Sequence, residues 1–566
     1  MNNPQNKINK QTKKSKESGS TYFLQKYSSL ILISISFLLY CQTIKFDYTN
    51  LDDKTLLADN KEFISKLSSI PQAFEQGVFK DENQTFYRPI LVTSFIIDGS
   101  TGNMSINYFH FINILLHIIA VCLLLRFLIK LKIDPKTSLL LSLLFAVHPA
   151  LTQAVAWIPG RNDSLLAIFT LASFLSLFRY SENKKSIHLV LHICFFLLAI
   201  LTKETAVILP ILYVLIARFL YNENIFSKKN IISGSFWVFS IFIWYALRSN
   251  AIQLSEASRP VQLTDNLSSN LPALILYIGK ILLPVNLSVM PVMNDNTLMF
   301  GFATLFIFVL IFILLKIKLS SPIIIGLTWF ILFISPILLL PKEFAFYYEH
   351  RLYLPLVGIL ILLGHMQLNL QQNYKSASKI FNTSLLTLII IFSGISFTYS
   401  RNFKDKFSFW ESAIEKSPSA VYINKVLAGI YNEENMPDEA EKYYLEALKL
   451  NPKEPAIRND LGTIYNTRKE HEKALTFLEE EYKISPHLYQ VSYNLAYTYY
   501  LLKRLPEAEK YMLKVVELNP NYHEAYFYLT IINADMNNFP KAKLYAQESE
   551  KNGVKIPDEL WNKIGR

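Results

Sequence analysis

The sequence predicts an all-α protein: a polytopic bundle of transmembrane helices followed by a C-terminal solenoid of paired helices. The first observation behind this is composition, because 51% of the 566 residues are apolar and only 18% are charged, against about 25% charged in an average soluble protein. The second is a repeat with a fixed period of 34 residues in the C-terminal part. The composition argues against a large soluble enzyme, and three cysteines exclude a disulfide framework.

The membrane domain is predicted over residues 27–400 from apolar runs long enough to cross a bilayer. A polar, basic tail, residues 1–26, precedes the first run and is predicted to be cytoplasmic. Eleven runs are interpreted as spans, near 27–44, 107–129, 137–157, 163–180, 187–202, 204–220, 231–247, 301–316, 322–341, 353–369 and 382–399.

The distribution of basic residues predicts the orientation. Residues 1–400 contain 33 Lys and Arg against 20 Asp and Glu, whereas residues 401–566 contain 23 against 25. The basic residues cluster in alternate gaps between spans, which indicates membrane topology rather than nucleic-acid binding. Residues 271–290 are interpreted as an interfacial or re-entrant helix, because a further span would place Lys316 and Lys318 outside. Eleven spans then put the N-terminus inside and everything after about residue 400 outside.

The C-terminal repeat is that of tetratricopeptide (TPR) helix pairs. Three columns recur every 34 residues: Pro418, Pro452, Pro486 and Pro520; Ala440, Ala474, Ala508 and Ala542; Leu427, Leu461, Leu495 and Leu529. Four repeats are predicted at 421–454, 455–488, 489–522 and 523–556, with a linker at 401–420 and a cap at 557–566. The fourth repeat is degenerate, with Asn533 where the other three have tyrosine.

The first outer loop, residues 45–106, contains the adjacent carboxylates Asp52 and Asp53. Such a pair could bind a divalent cation, or one carboxylate could be the general base for an acceptor hydroxyl. The alternative is a solvated Asp-Asp turn. Side chains alternate in an extended segment, so we expect one of the two to act, with a slight preference for Asp53. The residues do not require a metal, and no cofactor is predicted with certainty.

Further polar groups fall at spans or at junctions that the topology places outside, where charge is costly unless it has a function. Arginine and lysine there suit a phosphate, and the histidines and acids are candidate supporting groups. The same groups also fit satisfied interior polar residues or an ion or solute transporter. The candidates are Arg88; His110 and His117; His148, Arg161 and Asp163; Lys203 and Glu204; Glu349, His350 and Arg351.

The ordered motifs resemble the bacterial members of the transmembrane-and-TPR O-mannosyltransferase-like family of GT-C glycosyltransferases. The matching pieces are the Asp52–Asp53 pair, YRP, HFINILLH, HPALTQAVAWIPGRND, LTKE and EHRLYLP, followed by the TPR region. The resemblance implies a GT-C-like bundle in a bacterial inner membrane, and a sugar, mannose for instance, carried on a polyprenyl phosphate. It also implies an extracytoplasmic acceptor polypeptide recruited by the TPR region. It makes Asp52 or Asp53 the catalytic base, and Arg88, Arg161, Lys203 and Arg351 the ligands of the donor phosphate.

Two other functions fit the same sequence. TPR arrays are usually binding modules, so the chain could be a membrane-anchored scaffold for protein assembly without catalysis. A transporter is the third hypothesis for the function, although the sequence shows no inverted repeat. The outer acids discriminate between them, because a scaffold does not need Asp52 and Asp53.

Overall fold

A computed structural model describes residues 26–79, 86–252, 263–317, 319–339 and 346–565. Almost all of the predicted basic tail, and Lys318, lie outside the described residues. The chain divides into two compact units, residues 1–417 and 418–566. Both units are helical where the structure describes them, and the bridge between Val292 and Phe346 is isolated.

The first unit is a helix bundle that begins with α1, Lys26–Lys45. A loop with short helical turns connects α1 to the next long helix. Counting helices of at least seven residues, the unit continues with α2 Pro89–Thr101, α3 Ile106–Lys130, α4 Pro135–Ala146, α5 Arg161–Asn183, α6 Ser186–Thr202, α7 Leu209–Phe219, α8 Lys228–Ala251, α9 Leu263–Leu282, α10 Met299–Leu314, α11 Ser321–Leu338, α12 Tyr353–Asn373, α13 Lys375–Tyr399 and α14 Lys406–Lys416.

Helices lie at all eleven predicted span positions, but they differ in length. Within the described residues, seven helical segments are long and apolar enough to cross a membrane, and α4 with the turn after it forms an eighth, bent by 54°. The predicted spans 187–202, 204–220 and 301–316 correspond to the shorter α6, α7 and α10. The 204–220 prediction was wrong in extent, since residues 204–208 form a separate 3-10 turn and α7 has only 11 residues.

Close helix packing builds the core of this unit. Trp329 of α11 is fully buried, and its indole donates to the carbonyl of Leu354 in α12 at 2.8 Å. A Cβ added to Gly326 would lie 2.5 Å from the carbonyl oxygen of Gly358, so only glycine allows α11 and α12 to approach this closely. Small residues at such crossings are typical of membrane helices, whose packing relies on close van der Waals contact.

Helix α9 covers the segment that was predicted to be interfacial or re-entrant. Near its start, Asn266 donates to the carbonyl of Leu339 just after α11, and near its end Ile281 accepts from His148 just after α4. It is not among the candidate spans of the described chain. Contacts at both ends with the C-terminal ends of two other helices fit a helix that lies along one face of the bundle.

The predicted linker at 401–420 is instead ordered and mostly part of the first unit. It contains α14, and the indole of Trp410 donates to the carbonyl of Thr49 at 2.9 Å. The backbone N–H of Asp47 also donates to the carbonyl of Lys404 at 2.7 Å. These two bonds fix the loop after α1 against the segment that follows α13.

The second unit consists of the four predicted helix pairs and a short capping helix. Each pair falls within one predicted repeat, and the connections between repeats contain the periodic prolines. The helices are α15 Val421–Glu433 and α16 Pro437–Leu450, α17 Ile457–Thr467 and α18 His471–Ile484, α19 Tyr489–Leu501 and α20 Leu505–Leu518, α21 Glu524–Asp535 and α22 Phe539–Lys551, and the cap α23 Asp558–Ile564.

The periodic residues occupy the contacts between the paired helices. The four alanines and four leucines of the repeat columns are all fully buried. A Cβ added to Gly462 would lie 2.6 Å from Leu478, so the second pair is packed at its closest approach. The turn inside each pair contains one left-handed residue, with φ between 58° and 64°, at Asn435, Lys469, Lys503 and Asn537.

Candidate functional site

The loop after α1 gives its two adjacent carboxylates different environments. Asp53 is only 1% exposed, and it accepts hydrogen bonds from the backbone N–H groups of Thr49, Leu51 and Lys54 and from the Thr49 hydroxyl. The two aspartates lie in a helical turn rather than an extended segment. The oxygens of Asp53 hold the loop together, which disfavours the predicted preference for Asp53 as the base, while half-buried Asp52 has no such bonds among the described residues.

Arg88, just before α2, pairs with Glu204, just after α6. The guanidinium donates two hydrogen bonds to the carboxylate, at 3.1 Å from Nε and 2.7 Å from Nη2. This ion pair joins the segment before α2 to the segment after α6. Arg88 is also close enough to Asp52 for its charge to lower the pKa of that carboxyl.

A second ion pair lies beside the first. Lys203 donates to Asp163 Oδ1 at 2.6 Å, and the Nε2 atom of His350 lies 3.8 Å from Asp163 Oδ2. Asp163 stands in the first turn of α5, where the helix N-terminus favours an acidic side chain. Lys203 is also near Arg88 and Glu204, so the two pairs form one cluster.

Burial determines the electrostatics of the loop carboxylates. Burial raises the pKa of Asp52 to about 6, and the neighbouring charge of Asp53 acts in the same direction. Burial likewise raises the pKa of Asp53 to about 6, against its hydrogen bonds from Thr49, Lys54 and Leu51. A carboxyl with a pKa near 6 is suited to exchange a proton near neutral pH.

Arg351 provides a cation without a carboxylate partner among the described residues. Its guanidinium donates to the carbonyl of Phe346 at 3.1 Å and lies 5.3 Å from the ring centre of Tyr348. It is close enough to His350 for their charges to interact. Of the four predicted phosphate ligands, Arg88, Lys203 and Arg351 are thus gathered around the same cluster.

Arg161, the fourth predicted phosphate ligand, is not available for a phosphate. Its side chain is fully buried, pairs with Asp98, and donates to Asn113 at 2.7 Å and to the carbonyl of Phe109 at 2.9 Å. The prediction for Arg161 was wrong because its donors are already engaged inside the protein. Asp98 was missed, although a single acid in α2 directly after the apolar run PILVTSFII is a signal for a buried partner.

The arginine instead fixes the turn that carries Asp163. Asn113, which accepts from Arg161, donates in turn to the carbonyls of Val155, Trp157 and Ile158 at 3.1–3.3 Å. Gly160 completes this turn, since an added Cβ would lie 2.5 Å from the carbonyl oxygen of Gln153. Arg161 and Asn113 therefore act as positioning residues for the start of α5.

The predicted supporting histidines have separate environments. His117 contacts the Tyr353 hydroxyl at 2.7 Å and the Ala146 carbonyl at 3.1 Å, so it is a packed interior residue. His148 contacts the carbonyl of Ile281 at 3.0 Å and accepts from the N–H of Ala150. The structure does not bring these two into the ionic cluster, whereas His350 belongs to it.

His110 and Glu349 are also buried. Among the described residues, neither ring nitrogen of His110 has a hydrogen-bond partner, and the His110 and Phe46 rings lie edge-on at 6.2 Å between centres. Glu349 pairs with Lys280 of α9 at 3.2 Å and accepts from the N–H of Ser288 at the same distance. Lys280 lies in the segment 271–290, which the sequence analysis interprets as interfacial or re-entrant, and its pairing with Glu349 depends on the fold.

The described part of the chain holds no group of three or more His, Cys, Asp or Glu side chains that could bind a metal. A cavity of about 150 Å³ lies elsewhere, near Phe178, Tyr213 and Trp237. Phe178 is fifteen residues along α5 from Asp163, which is about 20 Å at 1.5 Å per residue. The cavity is therefore separate from the ionic cluster.

Together, the apolar helices, the ionic cluster and the helical repeats define an integral membrane protein with a TPR domain. The family model described as dolichyl-phosphate-mannose-protein mannosyltransferase matches residues 91–245. Two tetratricopeptide repeat models match residues 431–489 and 489–522. The first match includes Asp163, Lys203 and Glu204, while Asp52 and Arg88 lie before it.

Curated relatives extend these matches over most of the chain. Protein O-mannosyl-transferase TMTC3 of Homo sapiens is 26% identical over 447 residues, which is 70% of this chain and 48% of that protein. Protein O-mannosyl-transferase F38B6.6 of Caenorhabditis elegans is 25% identical over 74% of this chain and 62% of its own length. Protein O-mannosyl-transferase TMTC4 of Mus musculus is 31% identical over 29% of this chain and 25% of its own length.

The chain is thus similar to protein O-mannosyl-transferases in its membrane part and to tetratricopeptide repeat proteins in its C-terminal part. It spans about half the length of the human relative and three fifths of that of the nematode relative.

Proposed function

We propose that the protein is a membrane glycosyltransferase that moves a sugar, mannose in the first instance, from a polyprenyl-phosphate donor to a hydroxyl of an acceptor polypeptide. The observation that carries the proposal is the cluster around Asp52. It joins one available carboxylate to Arg88, Lys203 and Arg351, from segments that are far apart in the sequence. The names of the relatives supply the sugar and the protein acceptor.

In the proposed reaction, the acceptor oxygen attacks the anomeric carbon of the donor sugar. The bond between that carbon and the phosphate oxygen breaks, and the lipid monophosphate leaves with the bonding electrons. Asp52 accepts the hydroxyl proton, and the nearby cations stabilise the charge that develops on the phosphate. Arg351 has no carboxylate partner among the described residues to compete with the phosphate, while Arg88 and Lys203 would share it with Glu204 and Asp163.

The polar cluster lies on the bundle face that we propose to be extracytoplasmic, in a bacterial inner membrane with a cytoplasmic N-terminus. The lipid chain of the donor would lie against the apolar bundle with its phosphate at this face. The TPR unit would recruit the acceptor polypeptide, since stacked helix pairs form extended peptide-binding surfaces. No metal ion is required by the described residues of the cluster.

The proposal is tested with purified protein, a polyprenyl-phosphate-linked mannose and a candidate acceptor peptide. Asp52→Asn retains the shape of the side chain and removes the proton acceptor, so sugar transfer should fall by about 100-fold or more. Asp59→Asn is the matched control, because Asp59 is an exposed carboxylate in the same loop. Its transfer rate should remain at the wild-type level.

Transfer at the wild-type rate by Asp52→Asn would reject Asp52 as the base. If wild-type protein transfers no sugar from donors that it binds, while the TPR unit still captures a polypeptide, the non-catalytic scaffold becomes the better function.

A further inference from the structure

Three buried side chains beside the ionic cluster have polar atoms with no hydrogen-bond partner in the part of the chain that the structure describes. These atoms are the indole Nε1 of Trp157, the carboxylate Oδ2 of Asp163 and the imidazole Nδ1 of His350. The three residues are only 5%, 5% and 6% exposed. A buried polar group without a partner costs free energy, so three at one place indicate a ligand that supplies the partners.

The three side chains are close to one another. The Trp157 and His350 ring centres are 6.1 Å apart, and His350 Nε2 is 3.8 Å from Asp163 Oδ2. The cluster is also held in position, because Asn113 binds the carbonyl of Trp157 and Lys203 binds the other oxygen of Asp163. These bonds hold the side chains that carry the unpartnered atoms near the start of α5, while His350 lies just before α12.

The chemistry of these atoms matches a sugar. An indole N–H can only donate, an ionised carboxylate can only accept, and a neutral imidazole nitrogen can do either. Sugar hydroxyls donate and accept, so one ring can engage all three groups at once. The flat faces of Trp157 and Tyr348, the second of which lies 5.3 Å from His350, add apolar surface for the C–H faces of a sugar ring.

We infer that Trp157, Asp163 and His350 form the subsite that binds the sugar ring of the donor. Lys203 links this subsite to the phosphate side of the cluster, since its ammonium bonds Asp163 and lies close to Arg88. This inference rests on the proposed function and adds the residues that bind the sugar ring. It assigns sugar recognition to these three side chains and phosphate recognition to Arg351.

The test compares the binding of two lipids by the full-length protein in detergent: polyprenyl-phosphate-linked mannose and the same polyprenyl monophosphate without a sugar. Wild-type protein should bind the sugar-bearing lipid more tightly. Trp157→Phe removes one N–H and retains an aromatic ring, so its affinity for the sugar-bearing lipid should fall by about 10-fold. Its affinity for the bare monophosphate should not change.

Two further variants sharpen the comparison. Trp244→Phe is the matched control, because it makes the same chemical change at another buried indole N–H that has no partner among the described residues. Trp244 packs in a different cluster, beside Leu247 and Ile252. The Trp244→Phe protein should bind both lipids as wild type does. Arg351→Ala should weaken both lipids alike, because it removes a contact to the group that they share.

The sugar subsite would be overturned if Trp157→Phe lowered the affinity for both lipids equally, or for neither. No change in either affinity is the result expected if water alone satisfies these atoms. Wild-type protein that binds the monophosphate but gains nothing from the sugar would overturn the subsite and leave the phosphate site standing. Wild-type protein that binds neither lipid would overturn the proposed function as well.

Discussion

At the residue scale, the chemistry of the site depends on which neighbours each charged group has. Asp52 is near Arg88 and has no hydrogen bond to the described residues of the loop, whereas Asp53 accepts four. Removing a buried carboxylate that accepts several backbone hydrogen bonds leaves those donors unsatisfied. These different environments are the basis for proposing Asp52 as the base and Asp53 as a residue that holds the loop together.

The raised pKa of Asp52 predicts an acid limb in the pH dependence of sugar transfer. Burial raises this pKa to about 6, and Asp53 adds to the effect. The base acts only when it is ionised, so kcat/KM should rise as the pH increases from 5 to 7, with a midpoint near 6. Measuring kcat/KM against pH with saturating acceptor checks this.

A substitution of Arg88 tests this assignment further, because it should shift the pKa of Asp52 in a known direction. The charge of Arg88 lowers the pKa of Asp52, so Arg88→Gln should move the acid limb to higher pH, besides weakening donor binding. A profile that stays flat between pH 5 and 7, or a limb that shifts to lower pH in Arg88→Gln, would contradict the role of Asp52.

At the element scale, the tightly packed turn before α5 positions Asp163. Gly160 is enclosed, because an added Cβ would meet the carbonyl oxygen of Gln153 at 2.5 Å and the Cα of Ala154 at 2.9 Å. Both are backbone atoms, which cannot rotate away. Gly160→Ala should destabilise the protein by about 1–3 kcal/mol and weaken donor binding by displacing Asp163, as measured by thermal unfolding and lipid binding in detergent.

Gly394→Ala is the control for this prediction. Gly394 lies within α13, and nothing lies within 4 Å of its added Cβ. Alanine is the better helix former, by about 1 kcal/mol, so this variant should be at least as stable as wild type and bind the donor normally. Equal effects of the two substitutions would show that the turn has no special role.

In the second unit, the periodic alanines mark the closest contacts between paired helices. Ala474 is fully buried where α17 and α18 meet, so Ala474→Leu adds a side chain where there is no space. The change should cost about 1–3 kcal/mol, measured as a lower melting temperature of the helical fragment 418–566 by circular dichroism. Thr476→Leu, on the exposed side of α18, should leave the melting temperature nearly unchanged, and a strand-rich spectrum would refute the repeats.

At the scale of the whole molecule, the ionic cluster bears on the topology of the first unit. Asp52 follows α1, Asp163 begins α5, Lys203 follows α6 and His350 precedes α12, so these four junctions lie on one face. Lys404, after α13, contacts the loop of that face through Asp47. An even number of crossings must separate such junctions. If α8, α10 and α11 all cross between Lys203 and His350, the short segment 204–220 must cross too.

Eleven crossings, the number predicted from the sequence, would satisfy this parity and would put the segment after α13 on the face opposite to the N-terminus. A reporter that is active only in the cytoplasm should therefore be silent when fused after residue 420, whereas a periplasmic reporter should be active there. A fusion after Lys184 is the control and should give the opposite result. Cytoplasmic activity after residue 420 would reject the eleven-span topology.

By itself, the sequence determined the fold class, the positions of the four helix pairs and the polar segments that come together in the ionic cluster. Hydrophobic runs and a 34-residue period are local signals, and the order of the motifs carries the resemblance to the family. The different environments of Asp52 and Asp53, the enclosure of Arg161 by Asp98 and Asn113, and the gathering of Trp157, Asp163 and His350 were decided only by the tertiary structure. The physical reason is that a charged side chain acquires its role from partners that are distant in the chain, and sequence spacing does not specify which donors and acceptors are already paired when the helices pack.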